Sequence, residues 1–105
     1  MNAYIRCKLA LTENTPTIKP YNEDAWARLK DSDLTPIEVS LSLLEAVHVR
    51  WVTLLKSLKP QDFDRKFNHP ERGTQTIDEL IALYDWHGSH HLAHITGLRD
   101  RMKWW

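Results

Sequence analysis

Cysteine is almost absent from this chain of 105 residues. Cys7 stands alone, so an internal disulfide is excluded, and no charged start followed by an apolar leader precedes it, which sets a reducing cytoplasm as the expected location. Glycine is scarce, with three in the chain, and leaves no room for a flexible linker, so residues 1–105 are expected to form a single domain. Long apolar runs are missing too. No stretch approaches the roughly 20 residues needed to span a bilayer, so no membrane partner is expected. Neither charge sign is in excess, with 14 Lys plus Arg against 14 Asp plus Glu and no block of either, which removes the electrostatic case for nucleic acid. The chain also lacks a Gly-x-Ser-x-Gly elbow and a glycine-rich phosphate loop, and Cys7 has no neighbour in sequence that would activate its thiol.

What is present is helical periodicity. Tyr4, Ile5, Leu9 and Thr12 fit one face of a helix from Asn2 to about Glu13, with no cap before it. Asn14 to Leu34 holds Pro16, Pro20, Tyr21 and Trp26 and reads as an ordered connection with a turn of helix between Asp24 and Leu29. Thr35 as N-cap, Pro36 as first helical residue and Glu38 as capping-box partner open a second helix. Its stripe runs Ile37, Leu41, Leu44, His48, Trp51, Leu55 and Leu58, and Pro60 stops it. Gln61 to Gln75 is a connection whose Phe63 and Phe67 can cover the end of a bundle. Thr76 with Glu79 then opens a third helix reaching about Lys103. With no alternating β pattern, the expected fold is all-α: a helical bundle in which three helices are visible where four would close it.

Four of the six histidines crowd into His87, His90, His91 and His94 on that third helix. Steps of about 100° per residue place Ile77, Tyr84, His91 and Leu98 on nearly one line, with His87 one side chain away. His94 falls at the margin of the stripe and His90 outside it. Two imidazoles four residues apart can reach one ion, so His87 and His91 are the candidate metal ligands. The bland alternative is a pair of neutral imidazoles packed with hydrogen-bond partners. The inward orientation and the further histidines favour the metal, because unpaired polar atoms on an apolar face cost free energy.

Polar residues elsewhere on inward faces could assist. His48 interrupts the second helix's apolar stripe, and Glu45 precedes it by three, the Glu-x-x-His spacing of di-iron bundles. A single such motif points to an auxiliary or packing role for both. Trp86, beside His87, is a candidate pocket wall, whereas Trp51 and Tyr84 read as core. No catalytic side chain is assigned; metal-bound water is the candidate nucleophile.

Three segments then carry a resemblance: Tyr84-Asp85-Trp86-His87-Gly88-Ser89-His90-His91-Leu92-Ala93-His94-Ile95, the pair Leu43-Leu44-Glu45 and Arg50-Trp51-Val52, and Ile18-Lys19-Pro20-Tyr21. Together they resemble the YfiT branch of the DinB superfamily over nearly the whole chain. The resemblance implies a DinB-like four-helix bundle, usually dimeric, with a divalent transition metal, zinc or nickel foremost, held by three histidines. The implied activity is that of a metal-dependent hydrolase acting on a small-molecule substrate; some relatives are thiol S-transferases, including bacillithiol-dependent ones. Two of the family's ligands map onto His87 and His91. The third lies just before a Met-Asn-Ala-Tyr-Ile-Arg-like segment, where this sequence begins. The chain is thus expected to be the C-terminal portion of such a protein, lacking the first ligand and the N-terminal helices. Replacement ligands are expected from His48, His94, Glu45 or a second copy, with Trp86 and His90 at the entrance. The rival expectation is a non-catalytic helical oligomerisation remnant.

Overall fold

A computed structural model describes the backbone of residues 1–102 and the side chains of residues 1–86 together with Ser89, Ala93 and Gly97. Its elements are α1 (Asn2–Thr12), α2 (Glu23–Ala27), α3 (Asp31–Leu34), α4 (Ile37–Ser57), a 3-10 turn (Pro60–Asp64), β1 (Lys66–His69), β2 (Gly73–Thr76) and α5 (Ile77–Met102). The three long helices match the expected ones closely.

The core forms where α1, α5 and the β1–β2 hairpin meet. On α1 the buried residues Ala3, Cys7 and Ala10 recur at helical spacing, and their small size lets the neighbouring elements approach closely. Phe67, Ile77 and Leu80 fill the space beside them with no more than 1% exposure, and Ile18 closes it from the connecting segment. Phe63 packs at the edge, so both phenylalanines do cover the bundle end.

The hairpin is the addition to the all-α expectation. β1 and β2 pair antiparallel from Lys66↔Thr76 to His69↔Gly73, joined by the three residues 70–72, after which Gly73 opens β2 at φ +80°. Glycine adopts this left-handed backbone without a Cβ penalty, which suits the turn's return into the strand. Inside the turn, Nδ1 of the buried His69 accepts from the backbone N–H groups of Glu71 and Arg72, at 3.1 and 3.2 Å. The Pro16–Ile18 segment adds to the other edge of β1: Asn68 N–H donates to Pro16 O at 2.8 Å and Ile18 N–H to Asn68 O at 2.9 Å. Strands of four residues with one large apolar side chain between them present too little alternation to be read from sequence.

Helix ends explain the boundaries. Glu79 N–H donates to Thr76 Oγ1 at 3.1 Å, so the Thr76 half of the capping box at the start of α5 forms, while the Glu79 carboxylate accepts from the Thr76 hydroxyl at 3.3 Å instead of from its backbone N–H. The corresponding pattern at α4 does not form. That helix starts at Ile37 with no side-chain cap, while the backbone N–H of Thr35 closes α3 on Asp31 O. At the far end of α1, Arg65 donates from Nε to Ala10 O at 2.9 Å and from Nη2 to Glu13 O at 3.0 Å. A guanidinium there satisfies orphan carbonyls and faces the negative end of the helix dipole.

The stripe of α4 is only half used. Trp51, Leu54 and Leu55 pack on the core, but no residue of this 21-residue helix is buried, and Ile37 and Leu44 each stay 67% exposed. The expectation that the whole stripe faces the core is therefore corrected: Ile37, Leu41 and Leu44, in its first half, stay largely exposed. Total accessible surface is 8460 Å² for a 12.4 kDa chain, against about 6,100 Å² expected for a compact monomer of that mass. The radius of gyration, 16.3 Å, likewise exceeds the ~13 Å typical of this length.

Candidate metal centre

Helix α5 runs unbroken from Ile77 to Met102, so positions 87 and 91 stand one helical turn apart, as the metal reading requires. The side chains of His87, His90, His91 and His94 lie outside the described residues. Among the described residues, no group of three His, Cys, Asp or Glu side chains assembles into a metal site. The helix thus offers two imidazole positions at the right spacing, a donor set that fits half of the tetrahedral shell of a catalytic zinc or similar ion.

Beside these positions, α4 and α5 frame a cavity of about 680 Å³ with one end at Ala3 of α1. Its walls are mainly apolar, with Leu44, Val47, Trp51 and Val52 on α4 and Ile81 and Tyr84 on α5. The rings of Trp51 and Tyr84 meet edge to face, 5.9 Å between centroids at 89°. That geometry suits the ring quadrupoles and holds both walls in place.

Three polar side chains interrupt the apolar lining: His48 from α4, and Asp85 and Ser89 from α5. Their side chains make no hydrogen bond or ion pair among the described residues, so their bonding capacity is open to water or a ligand. With Ile81, Asp85 and Ser89 follow one i, i+4 line of α5, and at about 100° per residue that line lies on the far side of the helix from position 87. The structure therefore gives His48 a place at the cavity. Glu45, one turn earlier, is exposed and does not line it; Trp86, 58% exposed, does not line it either. The aromatic walls are Trp51 and Tyr84, which the sequence reading assigned to core packing. Asp85 and Ser89 were missed, although with Ile81 they form a four-residue series that a search beyond the histidine stripe would find.

The one cysteine is excluded as a nucleophile. Cys7 is fully buried, and burial pushes its thiol above its ordinary value of 9.0, outweighing the opposite pull of the Trp51 indole N–H beside the sulfur. Trp51 Nε1 itself is buried without a partner of hydrogen-bond geometry, sulfur being a weak acceptor.

Comparison with known proteins agrees with this architecture. The family model of the DinB superfamily matches residues 2–95. A Bacillus mycoides protein provisionally named a metal-dependent hydrolase is 58% identical over 104 residues, covering 99% of this chain and 60% of its own. A similarly named protein of Oceanobacillus iheyensis is 59% identical over the same span. Among solved structures, YfiT from Bacillus subtilis superposes with a TM-score of 0.92 at 50% identity, over 100% of this chain and 61% of its own. That protein is described as a probable metal-dependent hydrolase with an unusual four-helix bundle topology. The chain thus spans about three fifths of the length of these relatives.

Proposed function

The chain belongs to the DinB superfamily, and from that membership we propose that it carries the two-histidine part of a metal-dependent hydrolase site, with His87 and His91 as ligands. The observation that carries the reading is the unbroken course of α5 through both positions, which keeps them one helical turn apart. A divalent transition ion held there, zinc and nickel being among those that imidazole suits, would supply Lewis-acid activation of water.

The chain's own residues do the rest. Trp51, Val52 and Tyr84 receive the apolar part of a small-molecule substrate. His48, facing α5 across the cavity, takes up or releases a proton at its imidazole, and Asp85 accepts a hydrogen bond from substrate or water. His90 and His94 stand by on the same helix.

Completion of the shell and covering of the exposed α4 face are proposed to have one cause, association of two copies. The surface in excess of a compact monomer is larger than one side of a standard interface, about 800 Å². A second copy laid on Leu41, Leu44 and Ile37 would bury this face and bring a further histidine near the first pair.

Cobalt titration tests the ligand assignment. Visible bands of a tetrahedral, nitrogen-ligated ion are expected for the natural chain and their loss for His87→Ala and for His91→Ala. Bands that persist in either variant contradict it. The second reading, a non-catalytic oligomerisation module, is favoured by the exposed α4 face; it predicts association with no such bands.

A further inference from the structure

Where α1 crosses α4, on a flank away from the cavity lining, two cations converge on one phenol. Arg50 Nε donates to the Tyr4 hydroxyl oxygen at 3.1 Å, and Lys8 Nζ reaches the same oxygen at 3.5 Å while standing 5.2 Å from the ring centroid. The cations come from different helices, 42 residues apart in sequence, so their meeting is a product of the fold.

Neither cation is neutralised. The ion pair between Arg28 and Asp24 is the sole one among the described residues, and it lies elsewhere in the chain. A surface cation on a helix commonly finds a carboxylate three or four residues away. Those places hold Tyr4, Ile5, Leu11 and Thr12 around Lys8, and Ala46, Val47, Thr53 and Leu54 around Arg50. Helix α1 contains no acidic residue at all.

The donors at this crossing are also underused. Arg50 has given only its Nε–H, leaving the outer edge of the guanidinium open. Lys8 has ammonium protons to spare, and the Tyr4 hydroxyl, acting as acceptor toward both cations, keeps its own proton for a further acceptor. The hydrogen bond from Arg50, followed by that from Lys8, draws the phenol below its ordinary value, the sign of a positive local field.

We propose that Arg50, Lys8 and Tyr4 form a binding site for a compact, doubly charged oxyanion, the phosphate monoester group or free phosphate. Two positive charges match a dianion, and the guanidinium edge, the ammonium and the phenol proton supply several donors to its oxygens. A carboxylate, with one charge and two oxygens, uses fewer of them.

The test is a titration of the full chain with inorganic phosphate, glycerol phosphate, acetate and chloride at matched ionic strength, following the Arg50 Nε–H resonance by NMR. A saturable shift with phosphate or glycerol phosphate is expected, and the tighter of the two identifies free or esterified phosphate as the ligand. Affinity should fall about tenfold in Lys8→Gln, the loss of one charge-assisted hydrogen bond. In Arg50→Gln, followed through the neighbouring backbone amides, the saturable response should vanish. The proposal is overturned by the absence of saturation, by equal responses to acetate or chloride, or by unchanged affinity in either variant, which would mean an adventitious ion only. Both side chains are exposed, so the fold of either variant can be checked independently by circular dichroism.

Discussion

Cys7 shows how much a single buried group reveals about the core. Its thiol is held above its ordinary value, so the folded chain keeps the proton after the unfolded chain has lost it. The stabilisation is fully present below the unfolded pKa of about 9 and is lost as pH rises toward the folded value. The free energy of unfolding should therefore fall as pH rises above about 9, by at most about 1.4 kcal/mol per pH unit, and the slope should flatten in Cys7→Ala. The difference between the two proteins cancels other alkaline groups, Tyr4 among them. An identical slope in both contradicts the burial account. Sequence alone showed that Cys7 lacks an activating neighbour; that Trp51, 44 positions away, borders its sulfur is a contact only the fold creates.

At the scale of elements, local signals and long-range ones part company. Thr76 and Glu79 are neighbours on one turn, and the Thr76 half of their cap forms. Thr35 and Glu38 share the same pattern, yet Thr35 lies at the end of α3, a helix the sequence reading passed over, and its backbone closes that helix. The hairpin depends on a three-residue loop and on Phe67 reaching a core built by α1 and α5, neither of which shows as alternation. Two substitutions measure these devices. Gly73→Ala should cost about 1 kcal/mol: no atom crowds the new Cβ, but the left-handed backbone disfavours it. Arg65→Met should cost about 1–2 kcal/mol by unpairing the carbonyls of Ala10 and Glu13. Urea unfolding reads both, and no change in either would remove the proposed role.

For the whole molecule, the question is what lies against the first half of α4. The apolar stripe from Ile37 to Leu58 was plain in the sequence, but periodicity says only that a face is apolar, not that the chain itself supplies the cover. Under the proposed association, Leu41→Glu combined with Leu44→Glu converts a dimer to monomer in sedimentation while helical content holds. A mass unchanged by the pair of substitutions contradicts that interface. The histidine pair was legible for the opposite reason: a spacing of four residues is a local property of one helix, and α5 preserves it. His48, Asp85 and Ser89 meet at the cavity only through the packing of α4 beside α5. The most direct measurement is therefore the metal content per chain of protein purified without chelators, by elemental mass spectrometry, for the natural chain and for His87→Ala and His91→Ala. The account predicts near-stoichiometric zinc or nickel in the first and its loss in both variants; a metal-free natural chain, or metal retained without either histidine, contradicts it.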